Sequence, residues 1–205
     1  MTQAELVLTS LDEETARAEV YGLLAALYYA APSAELHENI RVAVTEAPAP
    51  GAVLESSWAE LVAAARAQSL PDISSEYDSL FGGVGKPEVY LFGSHYLSGF
   101  LNEKPLAALR ADIAALGLAR DETMPETEDH VAYLCEVMRY LIAGDDVAVA
   151  NLTRQREFFN RHAQPWLPMM CEAIMAHPQA RFYRALAAFT QNFVSVESQG
   201  FDMLT

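Results

Sequence analysis

The stretch Thr127-Glu128-Asp129-His130-Val131-Ala132-Tyr133-Leu134-Cys135-Glu136-Val137-Met138-Arg139-Tyr140-Leu141-Ile142-Ala143 decides the fold class. Val131, Leu134, Cys135, Met138, Leu141 and Ile142 recur every three or four residues, the spacing of one helix face, and Gly144 supplies a stop. A half-buried strand would need strict alternation, which this run lacks. The spacing predicts a helix over 127–143.

The same period extends outward in both directions. It predicts helices over 105–116, ended by Gly117, over 54–65 ahead of Pro71, and over 73–81. Towards the N-terminus it predicts a helix over 11–30, capped by Ser10, with Asp12, Glu13 and Glu14 at the positive end of the dipole and Pro32 as terminator. A shorter helix is expected over 34–45, followed by a loop at Glu46–Gly51. Beyond Gly144 the pattern predicts helices over 147–162, 165–175 with Pro165 in the first turn, and 180–196. Residues 118–128 are polar and read as a hinge. The expectation is an all-α, single helical domain of about nine helices, with an N-terminal half over 1–117 and a C-terminal half over 129–205.

Composition narrows the function. Of the 205 residues, 52% are apolar and 20% charged, which excludes a disordered chain. No apolar run reaches the roughly 18 residues of a membrane span, so stable membrane insertion is not expected. Met1–Glu5 carries no basic start of an export signal, and a cytoplasmic protein is expected. Thirteen Lys and Arg against 28 Asp and Glu give a net charge of −15, the wrong sign for tracking phosphates, so no nucleic acid is expected. The first reading of such acidity is solubility; read functionally, it is a field that attracts a cationic partner. Cys135 and Cys171 have no C-x-x-C spacing and read as buried free thiols.

Two segments stand out. Gly82, Gly83, Gly85, Gly93 and Gly99 fall within eighteen residues that also hold Tyr90, Phe92 and Tyr96, with Phe81 and Phe100 directly flanking them. A loop both glycine-rich and aromatic is packed into a groove or lines one. It is not a phosphate loop, because the G-K-[ST] ending is missing. Ser94-His95 lacks the context of a nucleophile elbow. The second segment is Glu126-Thr127-Glu128-Asp129-His130. Glu126 and His130 share a helical face if the helix starts early enough, and an acid beside an imidazole can orient or charge it. As a metal site the group lacks a second histidine, and acids are favoured at a helix start in any case. His162 and Trp166 form a further pair, read as a satisfied helix-end histidine and a core indole.

Taken together, these segments resemble the TorD/DmsD family of molybdoenzyme-maturation chaperones. Ala26-Leu27-Tyr28-Tyr29-Ala30-Ala31-Pro32 looks like the family's first helix and aromatic exit. Glu76-Tyr77-Asp78-Ser79-Leu80-Phe81-Gly82-Gly83 resembles its aromatic-x-x-Leu-Phe-x-Gly segment, followed by a Pro-aromatic loop from Pro87 to Tyr96. Glu126–His130 looks like its acid-Pro-x-Asp-His hinge motif, with Thr127 where proline is usual. His162–Trp166 and Phe182–Leu186 follow in the family's order.

The resemblance implies a chaperone, not an enzyme, needing no cofactor or metal of its own. Its partners would be the twin-arginine leader and the catalytic subunit of a molybdopterin oxidoreductase, kept from export until the cofactor is in place. It implies leader contacts at Tyr28, Tyr77, Leu80 and Phe81, at Pro87, Tyr90, Phe92, Ser94 and Tyr96, and at Glu126, Asp129 and His130. A basic and apolar leader suits an acidic, aromatic surface. A monomer is expected, although a hinge of this length permits a domain-swapped dimer. The alternative reading is a helical metal- or ligand-binding protein, or an enzyme, using Glu126, Asp129 and His130.

Overall fold

The structure, a computed structural model, describes residues 3–45, 53–82, 86–101, 103–121 and 123–203, and side chains from residue 13 onward within these. The loop expected at Glu46–Gly51 lies outside the described residues. Among the described residues ten α-helices and one π-helical turn follow in order: α1 (Gln3–Tyr29), α2 (Ala34–Val42), α3 (Glu55–Ala67), α4 (Leu70–Phe81), α5 (Gly93–Ser98), α6 (Lys104–Ala115), α7 (Val131–Ala143), α8 (Leu152–Phe158), the π turn (Phe159–Ala163), α9 (Leu167–Ala176) and α10 (Phe182–Asp202). The protein is all-α. Among the described residues the sole β-type pairing is an isolated antiparallel bridge between Phe92 and His130.

Several boundaries differ from the periodicity reading, each for a local reason. Helix α1 begins at Gln3, so Ser10 lies inside it and does not cap it. Helix α4 begins at Leu70 with Pro71 in its first turn, where a missing N–H costs nothing, and Ser69 caps it by accepting from the Asp72 N–H. Pro168, not Pro165, takes that position in α9. Helix α8 starts at Leu152, because Asn151 accepts from the Arg154 N–H and ends the preceding turn. Within the expected Pro87–Tyr96 loop, residues from Gly93 onward form α5, which stops at Gly99 with φ +79°. Helix α7 starts at Val131, four residues later than expected.

The chain clusters into two compact units, each assembled from two segments: residues 1–29 with 92–165, and residues 30–91 with 166–205. Residues 118–128 lie inside the first. In that unit α1 runs along α7. Tyr21, Leu24, Ala25 and Tyr28 are buried on α1, and Val131, Leu134, Cys135, Met138 and Leu141 on α7. Full burial of side chains of this size contributes about 1.5–3 kcal/mol each. At Gly22 an added Cβ would meet the Arg139 Cδ at 3.4 Å, an ordinary van der Waals contact. The second unit is organised around α10, which packs on α9, α3 and α4. Phe182, Tyr183, Leu186, Phe189 and Phe193 of α10 are buried, as are Leu61, Ile73, Leu80, Met170 and Ile174 on its neighbours. Trp166 is buried in the core of this unit, and Cys135 of the first unit and Cys171 of the second are buried thiols outside any disulfide. Burial pushes the Cys171 thiol up to about 12, with Glu172 adding to the rise.

Candidate functional site

In the first unit the candidate residues meet at the entry to α7. Residues 127–130 form a turn, closed by the His130 N–H to the Thr127 carbonyl at 3.0 Å. Because α7 starts only after this turn, Glu126 and His130 do not share a helix face. Asp129 is buried and saturated with donors. Its Oδ2 accepts from the Ser94 N–H at 2.9 Å and the Ser94 hydroxyl at 2.5 Å, and its Oδ1 accepts from the Thr127 hydroxyl at 2.6 Å. Its backbone carbonyl accepts from the Gly93 N–H at 2.9 Å. Asp129 therefore caps α5 from a segment 35 residues away in sequence, supplying the acceptors that the first turn of a helix lacks.

His130 caps α7 itself: its Nδ1 accepts from the Ala132 N–H at 3.2 Å. The ring meets Tyr29 and Phe92 edge-on, with centroids 6.4 and 5.0 Å away. Burial pushes the imidazole down to about 4, against the opposing pull of the Asp129 charge. A neutral ring is what the cap requires, since a protonated Nδ1 cannot accept. The sign of the pH effect follows. The unfolded chain takes up this proton below about 6.5 while the folded one resists until about 4, so the stability present above pH 6.5 falls as pH drops through that window. Between pH 7 and 5 the loss is about 2 kcal/mol. His162, also lowered by burial, acts in the same direction. Urea unfolding at both pH values is expected to show a clearly smaller difference in His130→Asn, which keeps a capping acceptor but does not titrate. An unchanged difference would assign the titration elsewhere.

Glu128, between Thr127 and Asp129, is the most heavily paired acid of this group. Its Oε2 accepts from Arg110 Nε at 2.9 Å and lies 2.8 Å from Arg110 Nη2, while its Oε1 lies 3.8 Å from Arg120 Nε. Arg120 Nη1 also donates to the carbonyls of Met124 at 2.8 Å and Glu126 at 3.1 Å, tying Arg120 to the backbone just ahead of Glu128. Neither arginine was legible as a partner from spacing, because Arg110 lies on α6 and Arg120 shares with Glu128 an irregular segment in which helical period sets no neighbours.

The second unit holds the rest of the expected set. Tyr77 and Phe81 form an aromatic cluster with Tyr183, at centroid distances of 5.2, 5.7 and 5.0 Å. Pro87 and Tyr90 are half-buried. Next to Tyr77 in sequence, Glu76, a buried acid, caps α10. Its Oε1 accepts from the N–H groups of Arg181 and Tyr183 at 2.8 and 2.9 Å, and its Oε2 from that of Phe182 at 3.1 Å. A signal for this existed: Glu76 sits on the same helical stripe as Ile73 and Leu80, and an acid on a buried stripe must have donors facing it.

The expected contact residues thus divide by exposure. Tyr28, Leu80, Ser94, Asp129 and His130 are buried and present almost no surface, whereas Tyr77, Phe81, Pro87, Tyr90, Phe92, Tyr96 and Glu126 are half-buried. Periodicity missed the most exposed apolar group near the motif: Leu97, Phe100 and Leu101, 43%, 71% and 41% exposed around the end of α5. A cleft of about 360 Å³ lies elsewhere in the first unit, between the C-terminal end of α6 with Leu116 just beyond it and the stretch Arg154 to Arg161, with its charges paired internally. There Asp112 accepts from His162 at 2.6 Å, the satisfied histidine expected from sequence. Among the described residues no three His, Cys, Asp or Glu side chains converge as metal ligands, and no helix is long and apolar enough to cross a membrane.

Comparison with known proteins places this architecture. The family model described as nitrate reductase delta subunit matches residues 48–172. Chaperone protein TorD of Vibrio parahaemolyticus is 23% identical over 135 residues, covering 62% of this chain and 63% of that protein. Chaperone protein TorD of Vibrio cholerae is 24% identical over 140 residues, covering 65% and 64%. Chaperone protein TorD of Shewanella loihica is 27% identical over 143 residues, covering 64% and 63%. The matches span just under two thirds of these relatives' own lengths. With more than half of its residues inside the family match, this all-helical chain belongs to the nitrate reductase delta subunit family, in its TorD/DmsD group.

Proposed function

We propose that the protein is a cytoplasmic chaperone that binds the twin-arginine leader of a molybdopterin-containing oxidoreductase subunit and holds it for cofactor insertion before export. The observation that carries this reading is the similarity to proteins named Chaperone protein TorD. Two physical features support it. The net charge of −15 attracts a basic segment, and Leu97, Phe100 and Leu101 offer exposed apolar surface to the stretch that follows the arginines. Phe92, Tyr96 and Glu126 of the same unit are half-buried and so remain accessible in part, while Asp129 holds the start of α5 in place through Gly93 and Ser94.

Calorimetric titration with a synthetic leader carrying two arginines and an apolar stretch tests this. One peptide per chain is expected to bind, with affinity falling several-fold from low salt to about 0.5 M, where screening acts beyond a few ångströms. Replacing both arginines by glutamine is expected to weaken binding by at least about tenfold, the worth of one charge-assisted contact. Equal binding of both peptides would remove arginine recognition from the proposal; no binding of either would overturn it.

A further inference from the structure

The pairing at Glu128 has a form that suits exchange. Its side chain is 11% exposed, and the fold already holds this carboxylate away from water with Arg120 on one oxygen. The other oxygen faces Arg110, whose side chain is 50% exposed and reaches across from α6. A guanidinium thus sits at the solvent end of a buried acid, presenting two nitrogens to one oxygen. We propose that Glu128 is the receptor carboxylate for an arginine of the leader, and that Arg110 occupies it as an internal stand-in until the leader displaces it. This rests on the leader-binding reading above.

The physical advantage is that displacement replaces like with like. The incoming guanidinium takes a preformed fork-accepting site, so the carboxylate loses no further hydration on binding. The released Arg110 is already half in water and regains solvation readily. Because Arg110 is tethered, it competes at a high effective concentration and lowers the apparent affinity by the fraction of chains in which Glu128 is open. Such a contact would let the chaperone release its client. The phenol of Tyr133 lies within reach of the same field: burial raises it first, Glu128 raises it further and Arg120 opposes this.

The test is a gain of function, read in Arg110→Lys as well as in Arg110→Ala because deleting a cation by itself also favours a basic peptide. Arg110→Ala is expected to bind the twin-arginine peptide about three- to tenfold tighter than the wild type, as expected on removing a half-exposed competitor. Glu128→Gln is expected to lose at least about tenfold. If the wild type binds the peptide but Arg110→Ala binds it equally or more weakly, the stand-in is overturned while the leader reading survives. If the wild type binds no peptide, the leader reading itself fails. Arg110→Lys, which keeps the charge without the fork, is expected to bind tighter as well, and unchanged binding overturns the proposal. As a peptide-free check, millimolar N-methylguanidinium is expected to raise the melting temperature of Arg110→Ala more than methylammonium does. Equal shifts would mean that the vacated site does not select a guanidinium.

Discussion

Glu76→Ala is expected to lower stability by about 3–5 kcal/mol, the range for uncovering several buried donors and removing a charged acceptor. The variant would leave the N–H groups of Arg181, Phe182 and Tyr183 without their acceptor at the start of α10, the helix that α9, α3 and α4 pack against. At this chain length such a loss corresponds to a melting temperature lower by about 6–20 °C. Glu76→Gln, which keeps one acceptor oxygen but loses the charge favoured at a helix N-terminus, is expected to fall between the two. Thermal melts followed by circular dichroism at neutral pH read this directly. A melt within about 2 °C of wild type for the alanine variant would show that water replaces the carboxylate at no cost.

Asp129→Ala is expected to cost about 2–4 kcal/mol, since the Ser94 amide, the Ser94 hydroxyl and the Thr127 hydroxyl all lose a buried charged acceptor. Asp129→Asn separates two accounts of this residue. If Asp129 were an ordinary cap of its own helix, asparagine would serve almost as well and the substitution would be nearly silent. In the observed geometry asparagine has one acceptor oxygen for donors on two sides, and its amide cannot accept, so roughly half of the alanine effect is expected. Leader titration on the same samples then shows whether binding falls in proportion to the loss of structure. Asparagine melting like wild type would contradict the trans-capping role.

The helices themselves were legible because a helix buries one stripe and the spacing of apolar residues reports it. The stripe of α7 reads directly from Val131 to Ile142, and proline and glycine punctuation placed the ends of α3 and α6 within about two residues. Where the reading slipped, a side chain chose between neighbouring starts. Asn151 and Ser69 moved α8 and α4, and His130 delayed α7 by capping it. These acceptors act on an N–H two or three residues ahead, a signal that competes with periodicity and does not appear in it.

The candidate motifs were legible as places but not as roles. Glu126–His130 reads in sequence as an acid–histidine pair on one face, whereas in the fold Asp129 and His130 cap different helices and Glu128 pairs with two arginines. Glu76 reads as part of an aromatic segment and turns out to hold α10, over 100 residues away in sequence. By itself the sequence determined the all-α class, the order of the helices, the burial of the thiols and Trp166, and an acidity suited to a basic partner. Each of these depends on residue type or local period alone. The tertiary structure decided which acid meets which donor, and so which charges hold helix starts and which, as at Glu128, pair with arginines. A carboxylate's partner is set by what lies within about 3 Å of it, and in a chain built from interleaved segments that neighbour comes from a distant stretch.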